Sequence, residues 1–495
     1  MIERLRQVWD DKSRLQVGLI AVSVILLALV IRLIGLGAES GWIDEAYSIV
    51  LARFPLAQIL QGTASDQHPP LYYWLLHVWM LFGSGVTYAR LLSALLGTLN
   101  IVQVLLFGWR VCGKWLGIFA ALLLAISPFH VWYSQEVRQY MLLACLTTAA
   151  TIELWSCLHG KRRWWLYCFF AILAIYTQYF AVFIFLAHAF LVILWAFHER
   201  NWQLIGYWIA AMLGTGLAFA PWLPIAVNQF LYHTTPWISE PAAGDVRDVL
   251  LKLIVGSGVT ILPVILRWVG LICLLGLAGW AISKYRSVNL ETRWNFGFIA
   301  LWALIPFAVI SVVAIFYPVF QFKQYLIILA PLLLAVTGII LIIPKPWGSI
   351  GLAGLVLVSG LTLGYQQRTL TKDDWRGVAS YIELNDINGD LVYGNPAANS
   401  LALGLYWVRP LPFTGYPPNY DILTGGWVGQ PLTLQLADEE LTVSTQGYQR
   451  VWLVEFFPQF WDPSKYISSW LSQHGTLLDD EIFGTIHLRL YEFTP

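Results

Sequence analysis

Over the first 365 positions, long apolar runs alternate with short polar junctions. A helix needs about 20 mostly apolar residues to cross a bilayer. Eleven runs meet or approach that length: residues 15–36, 88–110, 115–131, 139–158, 164–177, 180–197, 202–225, 259–282, 294–317, 324–343 and 347–365. The fifth is short, and only Gln178-Tyr179 separates it from the sixth, so ten or twelve crossings fit the same pattern. Residues 71–83 are apolar too, but they are few and follow Pro69-Pro70, which suits a helix lying in the interface better than one crossing it. The pattern has no internal repeat.

From about residue 366 the apolar runs give way to a mixed pattern. Residues 372–384 and 464–474 have helical spacing, while 389–393, 450–457 and 485–493 read as strands. Roughly 130 residues are enough for a small α/β domain with its own core. The expected architecture is a polytopic α-helical membrane protein over residues 1–365, with interfacial helices in a first outer loop at 37–87. A small α/β domain follows over 366–495.

Composition supports a membrane surface. Only 12% of the 495 residues are charged and 58% are hydrophobic, with a mean hydropathy of +0.64. A soluble domain is about 25% charged, so much of this surface faces a lipid bilayer rather than water. The 29 Lys and Arg balance the 29 Asp and Glu, which removes the electrostatic case for nucleic acid as a partner. All five cysteines sit in apolar stretches without metal-ligand spacing and read as small buried hydrophobes. The charged start, with no small-residue cleavage site after the first apolar run, points to a retained helix rather than a removed signal peptide. Placing that start in the cytoplasm puts the basic clusters at 4–14, 110–114, 161–163 and 284–293 on the same side, as the positive-inside bias requires. An odd number of crossings then puts loop 37–87 and the domain 366–495 together on the extracytoplasmic side.

On that expected face four polar clusters interrupt the apolar chain. Ionisable groups beside a bilayer are costly to desolvate and mark a site by default. Asp44-Glu45 is the first. Adjacent carboxylates on a helix or turn point apart, so one faces a cavity and the other a supporting partner; repulsion and burial then raise one of them towards the range of a general base. Two solvated loop acids are the plain alternative. Asp66 and His68 come second, in a segment that Pro69-Pro70 holds extended. They can orient a ligand, hold a metal or relay a proton, or His68 can cap the helix starting near Leu71. The third cluster holds Glu136, Arg138 and Tyr140: Glu136 and Tyr140, four apart, share a helical face, and the planar fork of Arg138 suits a phosphate. Lys323 and Tyr325 form the fourth, able to neutralise a departing phosphate and donate to it. Snorkelling to the interface is the simpler account of both Arg138 and Lys323. Taken together, acids and cations are what transfer from a phosphate-linked donor needs, because an attacking hydroxyl loses a proton as the phosphate gains charge.

The Asp44-Glu45 pair, the run His68-Pro69-Pro70-Leu71-Tyr72-Tyr73 and the junction Tyr133-Ser134-Gln135-Glu136-Val137-Arg138-Gln139-Tyr140 together resemble the integral-membrane glycosyltransferases of the C-type fold. More narrowly they resemble the bacterial relatives of protein O-mannosyltransferases and of the lipid A aminoarabinose transferase. The resemblance implies a polyprenyl-phosphate-linked sugar donor, transfer with inversion at the sugar carbon, and an extracytoplasmic acceptor that is a glycan, lipid or protein. It implies a bacterial inner membrane setting, Asp44 as the base or acceptor-orienting group, and Arg138 and Lys323 as phosphate contacts. Lys323 stands where many relatives carry an arginine. Some relatives bind a divalent metal near the equivalent loop, and Asp44, Glu45, His68 or Glu136 would hold one here, although no ligand spacing establishes it.

Two other classes compete. A transporter or flippase for a lipid-linked saccharide would place its polar groups at the bilayer midplane, on broken helices in repeated halves. A non-catalytic scaffold would use residues 366–495 to bind partners.

Overall fold

The computed structural model describes residues 2–232, 245–256, 290–317, 321–369, 372–387, 389–409, 411–418, 420–424 and 432–493, with isolated positions between 265 and 283. The chain forms two compact units. One comprises Met1–Ile34, Ser93–Pro224 and Ile238–Thr369; the other comprises Gly35–Leu92, Ile225–Trp237 and Leu370–Pro495.

The first unit is built of apolar helices. Among the described residues, seven helices are long and apolar enough to cross a membrane, or nine if each of two bent pairs is one span. The seven are Leu15–Leu33, Val86–Cys112, Tyr140–Leu158, Ala181–Glu199, Leu290–Phe316, Phe322–Ile342 and Trp347–Thr369, each on an expected run. The short run appears as Trp164–Thr177. The crossing expected at 259–282 lies largely outside the described residues. Leu26, Phe197, Leu213, Leu217 and Leu361 are exposed. Water would penalise that apolar area by about 25 cal/mol per Å² and lipid would not, so this is the surface of an integral membrane protein.

The run 115–131, expected as one helix, breaks into Lys114–Ala125 and Pro128–Ser134, bent by 64°. Pro128 has no N–H to continue the ladder, and Ser127 caps the new turn by accepting from the His130 N–H at 3.3 Å. Such a break strands carbonyls in an apolar interior. Arg32, fully buried, takes them up by donating to Ala125 O at 3.1 Å and Leu124 O at 3.4 Å. The same guanidinium donates to Ser134 Oγ at 3.2 Å and His130 Nδ1 at 2.8 Å. With Nδ1 accepting, the network assigns the imidazole proton to Nε2, which faces Asn100 Oδ1 at 3.3 Å. Gly97 lets this cluster close, since a Cβ there would collide with Ser134 Oγ.

The second unit is α/β. Strands β1 (Leu391–Asn395), β2 (Phe413–Gly415), β3 (Arg450–Phe456), β4 (Thr476–Phe483) and β5 (Ile486–Glu492) form one sheet in the order β2-β1-β3-β5-β4. β1 is parallel to β2 and β3, while β5 is antiparallel to β3 and β4. Register puts Leu391 beside Val451 and Val451 beside Tyr491. One face, Leu391, Tyr393, Leu453 and Tyr491, packs with Leu441, Ile467 and Leu471 from helices Leu434–Thr445 and Tyr466–His474. β1, β3 and β5 are the expected strands. β2 is only three residues, and β4 is an exposed edge whose Asp479-Asp480-Glu481 hides its alternation.

Residues 35–92 belong to this unit and supply the short helices Ile43–Leu51, Leu56–Ala64 and Leu71–Met80. The last is the short apolar helix expected after Pro69-Pro70. Hydrogen bonds tie these residues to the C-terminal part of the unit: Ser40 Oγ donates to Asp373 O at 2.6 Å and accepts from Trp375 N at 3.0 Å. Gly41 N donates to the Tyr406 hydroxyl, and Ser65 Oγ to Leu423 O at 3.1 Å.

Candidate functional site

In the α/β unit, Asp44 and Glu45 occupy the first turn of helix Ile43–Leu51, where the helix dipole favours negative charge. Glu45 is fully buried. Arg90 grips it with two bonds, Nε to Oε1 at 2.8 Å and Nη2 to Oε2 at 2.6 Å, and Lys372 Nζ reaches Oε2 at 3.2 Å. The remaining donors of Arg90 go to Leu36 O at 3.0 Å, Glu39 O at 2.9 Å and Ser40 O at 2.9 Å. One guanidinium therefore fixes both the helix start and the chain leading into it. Burial raises the Glu39 carboxyl above its ordinary value, against the pull of Lys372 and Arg90. The adjacent acids do diverge: with about 100° between successive helical residues, Asp44 leaves the helix in another direction from Glu45. Asp44 is half-buried, and its backbone carbonyl accepts from Ser48 Oγ at 2.9 Å.

Asp66 and His68 are brought together in a hydrogen bond, Oδ2 to Nδ1 at 3.1 Å, each side chain about four-fifths buried at 19% and 18% exposure. His68 does not cap the following helix, whose N-cap is Pro70 without a side-chain bond. The loop is held by Gln229 Nε2, which donates to Thr63 O at 2.8 Å. Burial first, then the charges of Asp66 and Asp421, push the Tyr420 hydroxyl up.

In the helical unit, residues 135–139 form a tight non-helical turn, with Arg138 N donating to Glu136 O at 2.9 Å. The helix starts only at Tyr140, so the expected shared helical face of Glu136 and Tyr140 does not exist. The chain must bend here after the broken span. Glu136, Arg138, Gln139 and Tyr140 are all at least 95% buried, which a snorkelling arginine would not be. Gln135 Nε2 anchors the turn by donating to Arg32 O at 3.0 Å and Ile34 O at 2.9 Å.

Lys323 lies on the short helix Phe322–Tyr325, with its ammonium 5.6 Å from the centre of the Tyr140 ring. The third and fourth clusters thus share a neighbourhood. Tyr325 is fully buried, its hydroxyl hydrogen-bonded to Ser311 at 3.1 Å. Lys252 joins them unforeseen, its ammonium 3.3 Å over the Phe322 ring; burial lowers its pKa, against the pull of Asp248 and Asp245.

Arg90, Lys372 and Gln139 were also not singled out by the sequence. Lys372 opens a visible charged run, whereas Arg90 is one cation at the head of a long apolar helix. For a metal, the residues do not fit: among the described residues no group of three His, Cys, Asp or Glu side chains could hold an ion. Glu45 already accepts from two cations.

Residues 67–225 match the model of the dolichyl-phosphate-mannose-protein mannosyltransferase family. The whole fold is similar to that of ArnT from Cupriavidus metallidurans. Against the form bound to undecaprenyl phosphate the TM-score is 0.62 at 15% identity, covering 95% of this chain and 97% of that one. Against the apo form it is 0.61, with the same identity and coverage. The archaeal oligosaccharyltransferase AglB from Archaeoglobus fulgidus, solved with an inhibitory peptide and a dolichol-phosphate, gives 0.48 at 11% identity over 96% of this chain and 74% of that one. Among curated proteins, none matches by sequence. The C-type glycosyltransferase fold expected from the motifs is the fold of this chain.

Proposed function

We propose that the protein is a glycosyltransferase moving a hexosyl or pentosyl group from a polyprenyl-phosphate-linked donor to a hydroxyl of an extracytoplasmic glycan, lipid or protein. The observation that supports this best is the family match over 67–225, which contains His68 and the buried turn with Arg138 and Tyr140. In the reaction the acceptor oxygen attacks the anomeric carbon as the carbon–oxygen bond to phosphate breaks, inverting the centre. The acceptor's proton passes to Asp44, and the lipid phosphate departs as an anion. Arg138 can meet two phosphate oxygens at once, and Lys323 supplies a second positive charge. Glu45 is a positioning residue: held by Arg90 and Lys372, it sets the direction of the helix turn that carries Asp44. The Asp66–His68 pair orients the acceptor, and no step is routed through a metal.

The setting in this reading is a bacterial inner membrane with the N-terminus cytoplasmic and the α/β unit outside. Purified protein in vesicles, supplied with a panel of polyprenyl-phosphate sugars and analysed by mass spectrometry, tests the activity. A new glycosidic product is expected. Sugar crossing the vesicle wall without such a product is a transporter's result and would overturn the reading. Labelling single cysteines placed in 37–87 and 432–493 with an impermeant reagent tests the sidedness.

A further inference from the structure

We propose that Gln139, with the hydroxyl of Tyr140, reads hydroxyl groups of the sugar carried by the lipid-linked donor. This rests on the glycosyltransferase reading and adds a specificity-determining residue to it. Gln139 is fully buried, yet among the described residues neither its amide nitrogen nor its amide oxygen has a hydrogen-bond partner. It is the N-cap of helix Tyr140–Leu158 but its side chain does not cap that helix. Tyr140, 2% exposed, likewise has a buried hydroxyl without a partner. Its ring is fixed, with Tyr133 edge-on at 5.3 Å and the Lys323 ammonium at 5.6 Å. Buried polar atoms are nearly always satisfied, so one left open calls for an explanation, a bound ligand among them. Three such atoms lie on two consecutive residues, and together they define the chemistry a partner there would need.

That chemistry selects among the parts of the donor. A prenyl chain has no polar atom to offer. A phosphate has only acceptors, which would satisfy the amide N–H and leave the amide oxygen facing negative charge. A sugar diol supplies a donor and an acceptor side by side, matching the planar amide, and a tyrosine hydroxyl can both give and accept. A site built on such bonds discriminates strongly, because a sugar lacking the hydroxyl leaves the amide unpaired again.

The test is Gln139→Met, similar in shape and apolar, in the purified full-length protein. Three quantities are measured: thermal stability, binding of sugar-free undecaprenyl phosphate, and kcat/KM over a panel of polyprenyl-phosphate sugars and their deoxy analogues. The expected result is an unchanged or higher Tm, since an unsatisfied amide is gone, with carrier binding within about twofold of wild type. Transfer from the preferred donor falls roughly 10- to 100-fold, and the wild-type preference for that donor over one deoxy analogue shrinks by the same factor. A lower Tm with kcat/KM and donor preference intact would assign Gln139 to a buried water and overturn the proposal. Loss of sugar-free carrier binding would put the amide on the phosphate and overturn it too. If wild type binds the carrier but transfers none of the sugars, the transferase reading fails and this inference falls with it.

Discussion

Two buried polar sites, one in each unit, are built in opposite ways. Around Glu45, each carboxylate oxygen and the donors of Arg90 find partners within 2.6–3.2 Å, so charges out of water are balanced inside the protein. At residues 139–140 of the helical unit, three buried polar atoms find no hydrogen-bond partner among the described residues. Each costs about 1–3 kcal/mol relative to a paired one, a large expense for a fold whose net stability is about 5–15 kcal/mol. A closed network is a scaffold, and perturbing it should cost stability. An open one is a recognition surface, and perturbing it should cost function. Substitutions on each side test whether that division holds.

The largest effect on stability belongs to the closed network. Arg90→Met removes the two-bond partner of the buried Glu45 and strands the carbonyls of Leu36, Glu39 and Ser40. Breaking one side of a buried pair costs about 3–5 kcal/mol, so the variant should lose monodispersity in detergent or melt far below wild type. Adding Glu45→Gln removes the orphaned charge and should recover much of the loss. If the single and double variants melt alike, the pair is not a scaffold.

The next effects fall on transfer rather than stability. Asp44→Asn should reduce kcat by about 10²- to 10⁴-fold, the usual weight of a general base, with the melting curve unchanged because Asp44 lies outside the Arg90 bonds. Retained activity in a purified assay would remove Asp44 from the chemistry. Lys323→Met should weaken binding of undecaprenyl phosphate by about 10- to 100-fold, one bond to a charged group being worth about 1.5–3 kcal/mol. Unchanged binding would take Lys323 away from the phosphate.

How much of this was legible in the sequence follows from the range of each interaction. Apolar periodicity is local, so most expected runs became helices, and β1, β3 and β5 showed through their β-branched and aromatic residues. The break at Ser127-Pro128 was missed although Pro128 marks it, and its stabilisation by Arg32, over ninety positions away, left no local trace. The same holds for Glu45, whose partner Lys372 is 327 residues distant. Asp44, Asp66, His68 and Arg138 were visible because ionisable groups are conspicuous in an apolar chain. Gln139 was not, since an amide in a polar junction looks ordinary until burial shows that nothing answers it. The i to i+4 pairing of Glu136 with Tyr140 misled because it assumed a helix where the chain turns.

The smallest effect probes the rim of the closed network. Asp373 follows Lys372, and its carboxylate accepts from the Thr485 hydroxyl. Burial raises its pKa above 3.8, the Thr485 bond opposing that shift without cancelling it. A carboxyl that is harder to ionise when folded stabilises the fold below its unfolded pKa, and the contribution is lost as pH rises through the folded value. At neutral pH the ionised Asp373 is thus a slight liability. Asp373→Asn keeps an oxygen for Thr485 and discards the charge, so its Tm should exceed wild type at pH 7. The gap should close as pH falls through the raised folded value of the carboxyl, below which it is protonated and resembles the amide. A lower Tm at pH 7 would mean that the charge stabilises through Lys372, and the closed network would then extend one residue further than the bonds around Glu45 define.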